Sequence, residues 1–554
     1  MGKKIDIFYF SSTHWDREWY QTFQGFRYRL VKLVDNLLDL FENDPEYKTF
    51  HFDGQTIVLE DYLEICPEKK EQLEKLIADG KILIGPWYVM PDEFLPSGES
   101  LIRNLMIGHK ISEDWNTKPW KYGYICDIFG HIAQTPQIFN GFDIKYSLLG
   151  RGTQEDDPTY FRWQSPDGSE VLNFKLEPEE GYCSFMLLYA RANDVHSPEF
   201  DEQIKKYIDS EIARSELPVV ILMDGADHNE ASVNTTDFIK RIKKLYPDAE
   251  VHHENLCKQG ELLEKYRDQL PVIQGELNKP AKHQHGYLHL IANTLSSHYP
   301  IKKANDECQN LLEKTLEPML VMADFDGIKL NRNYIKTAYK HLIQNHPHDS
   351  ICGCSIDHVH KDMEYRFDQV KEIGETILSD FMSRESPTIK PQNGEAYENM
   401  LTFQNFLPYD IEKTVTVHLD FPREYPAHSH EPFGYEEFNT FKIYDESGTE
   451  IPYQLVYVKP NFRTLTGFFD RHTVTMKVSV PAFGTSSYKA VPHASTVRYL
   501  KKMKAGMDFA ENDFIRVDIL SNGSLKIIDK KQVKNITGWA TLLMTAKSAT
   551  VGSM

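Results

Sequence analysis

Positive charge is scarce in this sequence. Its 62 lysines and arginines stand against 82 acids, a formal net charge of −20. Binding a polyanionic backbone needs concentrated positive charge, so nucleic acid is not expected as a partner. The acidity reads as a solubility feature rather than as an attraction to cations. Long apolar runs are missing as well. Nothing approaches the roughly eighteen consecutive apolar residues of a membrane span, and no apolar stretch of the kind a signal peptide needs follows Met1. The seven cysteines (Cys66, Cys126, Cys183, Cys257, Cys308, Cys352, Cys354) are odd in number and scattered. That pattern fits reduced thiols in a cytoplasmic protein better than a disulfide frame. The pair in "CGC" lacks the two-residue gap and the second pair of a zinc–thiolate site.

What is present is a soluble globular composition, 41% hydrophobic and 26% charged over 554 residues. That length predicts about three or four domains. Over the first 270 or so residues, strand-like and helix-like segments alternate. "IDIFYF" (5–10), "TFHFD" (49–53), "KILIGPWY" (81–88), "KYGYIC" (121–126), "IKYSLLG" (144–150) and "LPVVILM" (217–223) read as strands. "FRYRLVKLVDNLLDLF" (26–41) puts Leu30, Leu33, Val34, Leu37 and Phe41 on one helical face. Such alternation predicts a largely parallel sheet covered by helices on both faces. A hairpin interrupts it at 160–176, with Pro166-Asp167-Gly168 as the turn. From about 290 to 385 three amphipathic stretches predict a helical bundle. The polar "ESPTIKPQNGEAYEN" (385–399) reads as a linker, and period-two alternation with turn residues follows it. The expected architecture is multidomain: an α/β domain over 1–275, a three-helix bundle over 276–386, a β-sandwich over 387–500, and the start of a further β domain over 501–554.

Histidines and acids cluster where these elements end. The first strand runs into "FSSTHWDREWY", with His14 and Asp16; Asp127 follows "KYGYIC"; "LPVVILM" runs into "DGADHNEA", with Asp224, Asp227, His228 and Glu230. "QNHPHDSICGC" closes a bundle helix with His346, His348 and Asp349. Singly, each has a plain explanation: a hydrogen-bonded turn, a helix N-cap, a solvated helix end. Together they matter more, because ligand sites of open parallel sheets lie beyond the carboxyl ends of the strands. Two carboxylates and two imidazoles form an N/O set suited to zinc or a similar divalent ion. His14 and Asp16 project the same way from an extended segment, while Asp127 and His348 come from distant parts of the chain. Trp15 and Trp19 offer aromatic faces on which a sugar ring can pack.

At these residues the chain resembles the α-mannosidases of glycoside hydrolase family 38, in their bacterial branch. The resemblance is carried by "HWDREW" (14–19), "GYICDIFGHIAQTPQI" (123–138), "ILMDGADHNEA" (221–231) and "NHPHDSICGCSIDHVH" (345–360). "GPWYVMPDE" (85–93) and "LSSHYPIKKANDECQNLLE" (295–313) extend it to roughly residues 5 to 535. It implies that His14, Asp16, Asp127 and His348 hold one divalent ion, usually zinc. It implies Asp127 as the nucleophile, Asp227 as the acid/base with Asp224 close by, and Trp19, Arg151 and Asp349 as contacts to bound mannose. His131 and Asn229 would lie just outside that shell. The implied partner is an α-mannoside, with no membrane or nucleic acid, and homo-oligomerisation is left open. "ENDFIRVDILSNGSLKIIDKK" (511–531) resembles the start of the family's main β domain, and "GWATLLMTAKSATVGSM" does not continue it. A truncated chain is therefore expected, with open strand edges. Three other readings stay open: a mannosylglycerate-type hydrolase, also on phosphorylated mannosides; a metal-dependent polysaccharide deacetylase; and a sugar-binding remnant without turnover.

Overall fold

A computed structural model describes residues 4–282, 286–288, 292–385, 399–422, 424–430, 437–464, 467–497, 499, 503–531 and 534–539. The predicted linker falls mostly, and the last stretch of the chain largely, outside the described residues. The chain forms two compact units, residues 1–385 and 386–554.

In the first unit, strands β1 (Asp6–Ser11), β8 (Val219–Asp224) and β9 (Glu250–His252) make a parallel sheet in the order β8-β1-β9. The strands between them in sequence are β2 (Phe50–His51), β3 (Ile82–Leu83), β4 (Tyr122–Tyr124), β5 (Tyr146–Leu149), β6 (Tyr160–Gln164) and β7 (Glu170–Lys175), and β10 (Val272–Gln274) comes last. A second sheet runs β10-β6-β7-β5-β4. It is parallel except at the β6–β7 hairpin, whose turn carries Gly168 at φ +89°. The expected single sheet is thus divided, with β2 and β3 as a separate two-residue pair between its parts. The reason is local. Asp53 and Gly54 turn to φ +51° and +69° straight after β2, and Gly85 sits at φ +73° ahead of Pro86, which has no N–H to donate.

β1 and β8 are buried on both faces, as central parallel strands are. Phe8, Phe10, Val219, Ile221 and Met223 join the core shared with the second sheet. Ile7, Tyr9, Val220 and Leu222 pack instead with Phe200, Ile204, Ile208, Phe238 and Ile242 of the helices Pro198–Arg214 and Thr235–Leu245. The predicted amphipathic helix spans Phe23–Asn43. Thr22 caps it by accepting from Gly25 N, and Phe26, Leu30, Leu33, Val34 and Leu37 are buried.

The bundle's helices are Tyr299–Asn310, Glu317–Phe325, Asn333–Ile343 and Asp357–Glu385. The first two are joined through one wider π-type stretch, Leu311–Leu316, just before Pro318. A five-residue helix that periodicity does not reveal, His348–Cys352, interrupts the bundle and begins at His348. Among the described residues no helix is long and apolar enough to cross a membrane.

Among the described residues the strands of the second unit pair antiparallel. The four-stranded sheet Asn399–Gln404, Thr485–Pro492, Phe441–Asp445, Glu450–Ile451 and the three-stranded sheet Ile411–Pro422, Phe468–Val480, Tyr453–Arg463 share one apolar core. A five-stranded meander follows from Lys504 to Trp539.

Candidate active site

Backbone pairing beyond the strand ends places the first residues of the site. Ser12 N donates to Asp224 O at 2.9 Å, His14 N to Ala226 O at 2.9 Å, and His228 N to His14 O at 2.8 Å. The loop carrying His14 and Asp16 therefore runs beside the loop carrying Asp227. Asp127 lies three residues beyond β4, and the helix His348–Cys352 brings in His348 from the bundle.

Four side chains converge. His14 Nε2 lies 3.2 Å from Asp16 Oδ1 and 3.7 Å from Asp127 Oδ2. His348 Nε2 lies 3.5 Å from Asp16 Oδ1 and 3.4 Å from Asp127 Oδ2. Despite this closeness, both Nε2 atoms are buried without a hydrogen-bond partner, so these atoms are close but not aligned to bond one another. Ligands about 2.1 Å from a shared tetrahedral ion stand about 3.4 Å apart. The four separations match that spacing, and His14, Asp16 and His348 form a group able to hold a metal ion.

The charge balance points the same way. Burial disfavours charge on the His14 imidazole, yet Asp53 and Asp16 hold its pKa well above normal. His348 is pushed up to about 9 against its burial, by Asp349, Asp127 and Asp16. A pocket this rich in carboxylates demands positive charge, which protons on the imidazoles or one divalent cation can supply. His14 Nδ1 faces Asp53 Oδ2 at 3.0 Å, which fixes the tautomer that leaves Nε2 free as a ligand. Asp53 is itself held by Trp15 N at 2.8 Å and Gln55 Nε2 at 3.0 Å.

The two carboxylates with expected chemical roles sit in different surroundings. Burial would raise the Asp127 pKa, but Arg151, with Nε 2.8 Å and Nη2 2.7 Å from Oδ1, outweighs it together with His348. Asp127 stays ionised well below the usual carboxylate range. Asp227 is accessible to solvent yet ringed by protein. Burial and the neighbouring Asp16 and Asp127 raise its pKa, against His14 and the 2.8 Å bond from the Tyr182 hydroxyl. Asp224 is turned away from this group: Tyr9 OH donates to its Oδ2 at 2.7 Å in the core, and burial lifts its pKa to about 6. One pocket therefore holds one firmly ionised carboxylate and one that resists ionisation, which is the division of labour that acid-assisted displacement requires.

Residues 4–271 match the model of the glycosyl hydrolases family 38 N-terminal domain, and residues 289–384 match the alpha mannosidase middle domain. The chain belongs to glycosyl hydrolase family 38. It is 38% identical over 390 residues to a Halalkalibacterium halodurans protein named "Putative mannosylglycerate hydrolase", covering 67% of this chain and 42% of that one. It is 24% identical over 375 residues to human alpha-mannosidase 2C1, covering 66% of this chain and 34% of that protein. The crystal structure of an alpha-mannosidase from Enterococcus faecalis superposes with a TM-score of 0.79 at 28% identity, covering 97% of this chain and 62% of that one. The match thus spans about two fifths and one third of the length of these two curated relatives.

Within this family 38 chain, the other expected site residues fall as follows. Arg151 packs between the rings of Phe129 and Tyr287 beside Asp127. Asp349 is buried, with Oδ2 3.7 Å from His348 Nε2. Trp19 is half-buried against Tyr20, and its carbonyl accepts the Ile356 N–H at 3.0 Å, next to the segment bearing His348. Trp15, contrary to the expectation from sequence, offers no face to a sugar, because it is buried against Phe26 and His228 in the core under the loop. His131 bonds Glu93 at 2.7 Å, and Asn229 turns to its own loop at Glu230 O. His346, which the same cluster as His348 also offers, is buried and bonded to Asn305 Oδ1 at 2.8 Å. In "CGC", Cys352 donates its thiol to Asp92 Oδ2 at 3.3 Å.

Asp53 and Tyr182 were not foreseen. Asp53 ends "TFHFD" and falls under the same strand-end rule that finds Asp127, whereas Tyr182 lies in a single 3-10 turn, Gly181–Cys183, that no periodicity announces. A further group able to hold an ion, Asp6, Glu250 and His252, lies at the opposite ends of β1 and β9. There both His252 nitrogens already face carboxylates, Asp6 at 2.8 Å and Glu254 at 2.9 Å.

Proposed function

We propose that this chain carries the active site of a metal-dependent retaining α-mannosidase, acting on terminal α-mannosyl residues of oligosaccharides or small mannosides. The observation that carries the reading is the convergence of His14, Asp16, Asp127 and His348 at ligand spacing, with Asp227 beside them. The four residues fit one divalent ion, and zinc suits the N/O donor set best. Such an ion would grip adjacent mannose hydroxyls and favour the flattened ring of an oxocarbenium-like transition state.

The chain's own residues then divide the work. Arg151 keeps the Asp127 carboxylate ionised, so that it can attack the anomeric carbon. Asp227 retains a proton and gives it to the departing glycosidic oxygen as that bond breaks. The resulting mannosyl ester on Asp127 is hydrolysed when Asp227, now a carboxylate, takes a proton from the incoming water. The configuration is retained after two inversions, with the proton on Asp227 restored. Trp19, Arg151 and Asp349 line the sugar's place.

The likeness to the Halalkalibacterium protein supports a second reading within the same chemistry, a mannosylglycerate-type hydrolase. One experiment covers both. The purified chain, supplied with zinc, is assayed on an aryl α-mannoside, its β-anomer, mannosylglycerate and a mannose oligosaccharide. Release of free mannose from α-anomers only supports the proposal, and the preferred aglycone separates the two readings. Acetate release from acetylated polysaccharide without mannose release, or mannose binding without any turnover, overturns it.

A further inference from the structure

The candidate metal ligands come from two places far apart in sequence, the loop after β1 and the short helix after the bundle helix Asn333–Ile343. Something must set the distance between them. Two residues past Asp16, Glu18 is buried, and its carboxylate meets the guanidinium of Arg366 on the long bundle helix Asp357–Glu385. Arg366 Nη2 lies 2.5 Å from Oε2 and Nη1 2.8 Å from Oε1. Two residues past His348, the Ser350 hydroxyl donates to the same Oε1 at 2.9 Å. Arg366 Nη1 also donates to Asn345 Oδ1 at 2.8 Å and Gln344 O at 3.2 Å, just ahead of His348. The Glu18–Arg366 pair therefore grips the His348 segment from both sides, Glu18 through Ser350 after it and Arg366 through Asn345 and Gln344 before it, while Glu18 remains part of the His14–Asp16 loop.

A buried ion pair is a costly way to hold two surfaces together, since apolar residues of equal volume often do so at least as well. A bidentate guanidinium–carboxylate contact adds fixed distance and fixed angle, which apolar packing does not. We propose that Glu18 and Arg366 are positioning residues whose buried ion pair, with Ser350, locks the His14–Asp16 loop to the His348 segment and so sets the geometry of the ligand atoms. This inference rests on the metal reading above.

The test is metal binding, measured without substrate. Zinc affinity is read by competition with a chromophoric chelator, and the visible absorption of the cobalt(II)-loaded chain reports ligand geometry. Glu18→Gln and Arg366→Lys should each weaken zinc binding at least about tenfold, the lower end for outer partners of a metal ligand, and shift the cobalt bands. Ser350→Ala strands no charge and does not threaten folding. It should weaken binding about threefold, as expected for one lost hydrogen bond, and also shift the bands. Glu307→Gln removes the exposed Lys371–Glu307 pair made by the same long helix and should change neither quantity. Wild-type affinity and spectrum in both Arg366→Lys and Ser350→Ala would overturn the clamp alone. A wild-type chain that binds neither ion would overturn the metal reading and the clamp with it.

Discussion

Asp53→Asn tests how finely the His14 imidazole is tuned. Asp53 is fully buried and accepts from Trp15 N and Gln55 Nε2 through Oδ2, which also lies 3.0 Å from His14 Nδ1, while Cys126 Sγ lies 3.6 Å from Oδ1 and 3.7 Å from His14 Nδ1. Asparagine is nearly the same shape, and its carbonyl can accept the Trp15 and Gln55 donors and stay beside the His14 ring, so the fold is retained. What disappears is the negative charge behind His14 Nδ1. A hydrogen bond to a charged acceptor is worth about 1.5–3 kcal/mol and a neutral one about 1 kcal/mol. The loss of about 1 kcal/mol falls on the basicity of Nε2, with no solvent at Asp53 to soften it. That predicts zinc binding weakened about five- to tenfold. Asp53→Ala, which leaves His14 Nδ1 only the weak contact to Cys126 Sγ, should reach the upper part of the 10- to 100-fold range seen for such outer partners. Chelator competition on the purified variants, with far-UV circular dichroism to check folding, measures both. Unchanged zinc affinity in the two variants would refute the argument that Asp53 prepares His14 as a ligand.

Four other substitutions separate the chemistry from the packing around it. Asp127→Asn should lower turnover of any α-mannoside by on the order of 10⁴ or more, and normal turnover would remove Asp127 from the mechanism. Asp227→Asn should cost about 10²–10⁴ with poor leaving groups and little with activated aryl ones, and equal losses would show that Asp227 is not the acid. Asp224→Asn should instead leave turnover largely intact and act on stability. The raised pKa of Asp224 means that its stabilising contribution is present below the unfolded-state pKa and is lost as pH rises through about 6. The asparagine variant should therefore lose less thermal stability than wild type as pH rises from about 4 to about 6, with no further divergence above that. Tyr182→Phe removes a donor to the ionised Asp227, so Asp227 should keep its proton to higher pH and the alkaline limb of kcat/KM should move upward. A limb that stays or moves to lower pH would contradict the assigned acid.

Much of this arrangement can be read from residue order because parallel strands impose a rule. Their carboxyl ends face one rim, so acids and histidines just past "IDIFYF", "KYGYIC" and "LPVVILM" are brought together. His348 is legible only as a charged helix end, since nothing local says that a short helix will turn it back toward β1. The Trp15 misassignment has a simple cause. Aromatic residues beside ligands suit a sugar face and a loop core equally, and the helix Phe23–Asn43 supplies Phe26 to cover this one. The divided sheet follows from Asp53, Gly54, Gly85 and Pro86, single residues whose backbone effects outweigh the β-propensity of the runs around them. The Glu18–Arg366 pair joins residues 348 positions apart. No periodicity reports a contact of that span.

The central claim is that one divalent cation is shared by His14, Asp16, Asp127 and His348. Metal analysis of the purified chain after zinc loading and removal of excess ion tests it most directly, with His348→Ala run alongside. About one ion per wild-type chain is expected, with a marked loss in the folded variant. A wild-type chain without bound metal, or a His348→Ala chain with full occupancy, would contradict it.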